Sequence, residues 1–210
     1  MVRVTFIYAG HQLDYLLGLI SGFDNNSSLK VSLIDGKRVT AFTANNGNIE
    51  LKPFLKPKQN NLLLELCRWA IYYLKLTTHL LLTENDIIHV EWINRKIDVF
   101  EHYYFVWMKR LTKKKLVFKI HDLDTNILLS PKKEYEKPLK KSTLIFFNNC
   151  DQLFVHNEFV KNILIKNGIE ELKIKLLKPW HGVNGVPIKT KISKKEAQNY
   201  LGLRPIKTIL

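Results

Sequence analysis

Residues 116–120 read Leu-Val-Phe-Lys-Ile and run directly into His121-Asp122. β-Branched and aromatic side chains with one lysine among them read as a buried strand. In an open α/β sheet, ligands bind in the crevice beyond the carboxyl ends of the strands, so a His-Asp pair at such an end stands where chemistry happens. An imidazole, neutral or charged, can hydrogen-bond a ligand hydroxyl. A structural reading stands beside this one: His121 caps a loop or is a satisfied core histidine. Asp122 either orients His121 or caps the loop that follows. His156 ends a second apolar strand and comes close to His121 if the strands are ordered as in a doubly wound sheet. His89 lies inside an apolar strand and reads as core, and His181 lies in a Gly-containing linker. No His-x3-His spacing on a helix and no Cys-x-x-Cys accompanies them, so no metal is expected.

The surrounding chain supplies a sheet for these residues. Val2–Tyr8 reads as a first strand, broken at Gly10, and residues 11–23 carry the apolar spacing of a helix, at Leu13, Leu16, Leu17 and Ile20. Strands follow at 29–34, around the turn at 45–48 (39–42 and 49–51), at 86–92, at 116–120, within 151–157 and at 173–177. Between them, helices are predicted at 62–82, 97–111, up to about 149, and at 158–166, the last closed by Gly168. In residues 61–82 the polar positions Asn61, Glu65, Arg68, Tyr72, Lys75 and His79 recur at steps of four and three. They draw one narrow polar stripe on an apolar cylinder, expected to be the wet edge of a helix packed on the sheet rather than a helix lying in a membrane. Strands alternating with helices predict an α/β fold, a Rossmann-like doubly wound parallel sheet.

The chain has 210 residues, 46% of them hydrophobic, enough for one substantial core. Its formal net charge is +14, and the charge is uneven: residues 1–100 carry +2 and residues 101–210 carry +12. A basic half suggests an anionic partner. The basic stretches 109–115 and 132–141 hold few of the interleaved aromatics of single-strand binders, so no nucleic acid is expected and an anionic membrane face is the better functional reading. No signal peptide is visible, and the two cysteines, Cys67 and Cys150, fit a reduced, cytoplasmic setting.

Taken in order, several segments resemble the N-terminal half of a family 4 retaining glycosyltransferase of the two-domain GT-B fold. They are the strand and loop at Gly10, Asp86-Ile-Ile-His-Val before an aromatic-rich helix, the strand ending in His121-Asp122, residues 150–159 (Cys-Asp-Gln-Leu-Phe-Val-His-Asn-Glu-Phe), His181-Gly-Val-Asn184, and the Ser-x-x-Glu helix from Ser193 to Leu201-Gly202-Leu203. The resemblance implies an acceptor-side Rossmann-like domain over residues 1–180, an inter-domain linker over 181–192, and a linker helix with the start of a nucleotide-sugar-binding domain over 193–210. It implies an enzyme that, as a full-length protein, moves a sugar from a nucleotide-sugar donor to a glycan or lipid-linked acceptor, peripheral on the inner membrane face. No cofactor beyond the donor itself is expected. The 210-residue chain alone is expected to be inactive, because the family's basic pair and Glu-x7-Glu signature lie beyond this sequence. By the same resemblance His121 is the catalytic-site histidine near the donor sugar, and Gly10, His11, Asp122 and His156 are substrate-binding. The alternative is a non-catalytic Rossmann-like module that binds polyanions through its basic half.

Overall fold

The computed structural model describes residues 1–8, 27–35, 48–55, 58, 60–94, 96–121 and 139–177. Among these, seven strands form one sheet: β1 (Val2–Tyr8), β2 (Leu29–Asp35), β3 (Ile49–Lys52), β4 (Ile87–Val90), β5 (Lys115–Ile120), β6 (Gln152–Val155) and β7 (Ile174–Leu176). Every neighbouring pair is parallel, and the order is β3-β2-β1-β4-β5-β6-β7. The order reverses at β1, so the switch point of this Rossmann-like sheet lies between β1 and β4. Four α-helices are described: α1 (Leu62–Leu82), α2 (Asp98–Thr112), α3 (Lys141–Asn149) and α4 (Glu158–Lys166).

The period-2 alternation of the strands divides the core between two sheet faces. On one face Ile7, Ile34, Ile88, Phe118, Ile120 and Val155 pack with Tyr72, Leu76 and Leu80 of α1, Phe105 and Met108 of α2, and Phe146 of α3. On the other, Phe6, Tyr8, Val31, Leu33 and Ile49 form a smaller cluster that Trp92 joins. Side-chain carboxylates pin the strand starts. Asp86 accepts the Arg3 amide at 2.9 Å, and Asp151 accepts the Leu116 amide at 2.7 Å while pairing with Lys109 at 2.7 Å.

Helix ends follow their local chemistry. Asn61 accepts the Leu63 and Leu64 amides and caps α1; Asn157 accepts the Val160 amide and caps α4. After α4 the backbone turns through Gly168 at φ +83°, the left-handed conformation that glycine adopts at least cost, as its place in the sequence predicts.

The orientation of α1 corrects the sequence reading. The helix packs on the sheet, but most of its polar stripe faces inward, with only Asn61 and Lys75 of the stripe exposed. Arg68, Tyr72 and His79 are buried, and Glu65 is half-buried, bonded to Arg68 and to the Trp69 indole. Polar groups tolerate burial when they are paired, and here they pair with one another and with α2: Tyr73 donates to Glu101 at 2.5 Å, and Thr77 meets the Tyr104 hydroxyl at 3.0 Å. The leucine-rich side faces out. The strand predicted at 86–92 is shorter, Ile87–Val90, which leaves Glu91 and Trp92 at its carboxyl end. The helix predicted over 11–23, the strand at 39–42, most of the basic stretch 132–141 and the linker and terminal segments from 181 to 210 lie outside the described residues, with the proposed domain limits there.

Candidate functional site

Three adjacent parallel strands deliver polar side chains from their carboxyl ends: β4 gives Glu91, β5 gives His121 and β6 gives His156. The Glu91 amide also donates to the Ile7 carbonyl at 3.0 Å, so the carboxylate hangs beside the switch point between β1 and β4. Because side chains alternate along a strand, His89 and Glu91 of the β4 segment share a sheet face with Lys119 and His121 of the β5 segment.

Glu91 is the centre of this group. Its carboxylate is 1% exposed; it accepts hydrogen bonds from His121 Nε2 at 2.7 Å on Oε1 and from His89 Nε2 at 3.1 Å on Oε2, and it pairs with Lys119 Nζ at 3.1 Å through Oε1. Burial alone would raise the carboxyl's proton affinity, but the hydrogen bonds from His121 and His89 outweigh it and hold Glu91 below the ordinary glutamate range. Burial draws the Lys119 ammonium down to about 8, so it still carries its charge at neutral pH. A buried carboxylate and a buried ammonium thus lie side by side, an arrangement tolerated inside a protein only when both are paired.

His121 is held from two directions. With Nε2–H committed to Glu91, a neutral ring keeps its lone pair on Nδ1. Trp92 stacks flat on the imidazole, 4.1 Å between ring centres and 5° between planes. The Trp92 indole N–H is itself buried, with no acceptor among the described residues. A buried donor without an acceptor is costly and rare in a native fold, and here it belongs to the ring stacked on the His121 imidazole. The His156 ring lies 5.2 Å from that of His121. His89 is wedged between Phe6 at 4.5 Å and Phe154 at 6.1 Å.

His121 therefore stands at the carboxyl end of a central strand, as its position after an apolar run predicts, and His156 stands beside it. Gly10, His11 and Asp122 lie outside the described residues, and so does the cleft expected between His121 and the Gly10 loop. His89, read from sequence as a core histidine, belongs to the polar group through its bond to Glu91. Glu91, Trp92 and Lys119 are read from the sequence only as strand residues and not as members of a site. The signal for Glu91 was present, since it follows an apolar strand just as His121 does. Among the described residues, no three His, Cys, Asp or Glu side chains are disposed to hold a metal ion. Chemically, the group offers a fixed imidazole backed by a carboxylate, suited to hydrogen-bonding a polyol hydroxyl or relaying a proton.

Residues 85–178 match the family of glucosyltransferase 3-like N-terminal domains. That segment runs from the start of β4 to the end of β7 and contains Glu91, Lys119, His121 and His156. No curated protein matches the chain by sequence. By structure the chain is similar to Anabaena HepE in complex with UDP and glucose (TM-score 0.56, 13% identity, covering 96% of this chain and 50% of that one). It is also similar to sucrose-phosphate synthase from Thermosynechococcus elongatus (TM-score 0.57, 11% identity, 97% and 53%) and to UDP-GlcNAc 2-epimerase from Methanocaldococcus jannaschii (TM-score 0.52, 14% identity, 83% and 45%). These likenesses establish the fold, a Rossmann-like half of the GT-B architecture. The chain spans about half the length of these structures.

Proposed function

We propose that this chain is the acceptor-side half of a glycosyltransferase that moves a sugar from a nucleotide-sugar donor to a glycan or lipid-linked acceptor, with retention at the anomeric carbon as in family 4. The observation that carries the reading is the convergence of Glu91, His121 and His156 at three adjacent strand ends, within the segment that matches a glucosyltransferase-like family. The structural neighbours include a protein crystallised with UDP and glucose and an epimerase named for UDP-GlcNAc, which supports a nucleotide sugar as donor.

In this reading His121 hydrogen-bonds a hydroxyl of the donor sugar, and Glu91 fixes the ring that does so. Gly10, His11, Asp122 and His156 complete the sugar-side contacts. Transfer breaks the bond between the anomeric carbon and the diphosphate oxygen, forms a bond from that carbon to the acceptor oxygen, and releases the acceptor's hydroxyl proton. Holding donor and acceptor in one geometry can supply roughly 7–11 kcal/mol of the barrier. The charge that develops on the leaving diphosphate needs preorganised positive groups, which we assign to a donor-side domain of the complete protein.

The test is a donor-consumption assay with a panel of UDP-sugars on the 210-residue chain and on the complete protein. Turnover is expected with the complete protein and none at an enzymatic rate with the chain alone. Robust turnover by the 210-residue chain, or none by the complete protein with any nucleotide sugar, contradicts the proposal.

A further inference from the structure

Between β4 and α2 the chain passes through Glu91, Trp92, Ile93 and Asn94. Trp92 packs against the smaller core cluster and Ile93 against the larger one, so the backbone straddles the carboxyl edge of the sheet. Among the described residues no polar group holds the Trp92 indole, whose N–H is buried without an acceptor. Its flat stack on His121 therefore depends on packing and on the backbone to either side. On one side the Glu91 amide donates to the Ile7 carbonyl at 3.0 Å. On the other the Asn94 amide donates to Glu101 Oε2 at 2.5 Å.

Glu101 lies in the first turn of α2. A carboxylate there gains from the helix dipole while still in water, but Glu101 is 4% exposed. Burying a carboxyl is costly unless its oxygens are bonded, and both are: Oε2 takes the Asn94 amide, and Oε1 takes the Tyr73 hydroxyl of α1 at 2.5 Å. Tyr73 is itself fixed by edge-on contacts with Tyr72, Phe100 and Tyr104. Asn94 is the corner of the turn. Its Oδ1 accepts the Lys96 amide at 3.1 Å, and its carbonyl accepts the Ile97 amide at 3.0 Å. The Ile97 carbonyl in turn accepts the Glu101 amide at 3.0 Å, which closes the segment onto the helix that carries the carboxyl. An apolar side chain at position 101 would pack between the helices as well. What the carboxyl adds is a fixed acceptor for a loop amide, two residues from Trp92 and three from Glu91.

We propose that Glu101, backed by Tyr73, is a positioning residue for the transfer site: by holding the Asn94 amide it fixes the β4–α2 loop and keeps Trp92 stacked on His121. The consequence for turnover rests on the transfer reaction proposed above; the consequence for the stack does not.

NMR of the 210-residue chain tests it, with the His121 ring protons identified by their loss in His121→Ala. Protons of a ring lying flat on an indole are shifted upfield, and that shift reports the stack. It should be lost in Glu101→Ala, reduced in Tyr73→Phe, and kept in Glu101→Gln, whose amide can accept from Asn94 and donate to Tyr73. The Asn94 amide should exchange with solvent at least about tenfold faster in Glu101→Ala than in the parent. In the complete protein Glu101→Ala should lower kcat at least about tenfold, with Glu101→Gln close to the parent. A carboxyl that served folding alone would change stability and leave the stack as it is. An upfield shift that persists in both Glu101→Ala and Tyr73→Phe, or that is lost equally in Glu101→Gln, overturns the proposal. So does a complete protein that loses the stack and keeps its kcat. Should Glu101→Ala not fold, Tyr73→Phe decides by the same signal. A stack that responds as expected, in a complete protein that turns over no nucleotide sugar, refutes the transfer reaction and upholds the hold of Glu101 on Trp92.

Discussion

At the residue scale, Glu91 is the group on which the others depend. It neutralises the buried Lys119 ammonium and orients two imidazoles, and its ionised form is favoured in the fold. Removing one member of a buried pair leaves the other uncompensated, at a cost of about 3–5 kcal/mol. Glu91→Ala is therefore expected to lose about that much in urea denaturation, and adding Lys119→Met should restore a substantial part of it by removing the stranded ammonium. If Glu91→Ala is as stable as the parent, the carboxylate does not hold the group together. The depressed carboxyl also sets a sign. Its contribution is present above the unfolded glutamate value and is lost as pH falls through the lower folded value. Of these residues, His121 and His156 were legible as strand-end side chains because each follows an apolar run. Lys119 was not, because a lysine inside an apolar strand carries no mark of its partner, and Glu91 is separated from it by 28 positions.

At the element scale, the sheet was legible nearly throughout, since apolar runs bounded by turn residues fix strands regardless of what covers them. The orientation of α1 was not. Periodicity separates two faces of a helix but does not say which one turns inward when the polar one can satisfy itself. Glu65 with Arg68 and Trp69, and Tyr73 with Glu101, provide that satisfaction. The joint between α1 and α2 has a pH signature. Burial, opposed by the hydrogen bonds from Tyr73 and the Asn94 amide, raises the Glu101 carboxyl from 4.5 to about 7. The folded state then binds this proton more tightly than the unfolded state. The group's contribution is full below about pH 4.5 and falls away as pH rises through about 7, a loss of roughly 3 kcal/mol by linkage. Glu101→Gln can accept from the Asn94 amide and donate to Tyr73, so stability measured against pH in the variant should lack that decline between about pH 4.5 and 7. An identical pH dependence in variant and parent would show that Glu101 ionises normally.

At the scale of the whole molecule, the two sheet faces divide the work. One carries the helices of the larger core cluster, and the other carries the polar group beside the switch point.

The central claim is that the strand-end group around His121 serves sugar transfer. It is tested most directly by comparing turnover and stability of the complete protein with those of its His121→Ala variant. Loss of a preorganised hydrogen-bonding group at a transfer site typically costs about 10²–10³ in turnover, whereas one buried hydrogen bond costs about 1–2 kcal/mol of stability. The account predicts at least a hundredfold fall in kcat in a variant that remains folded at the assay temperature. Unchanged turnover, or a loss matched by the fraction unfolded, would contradict it.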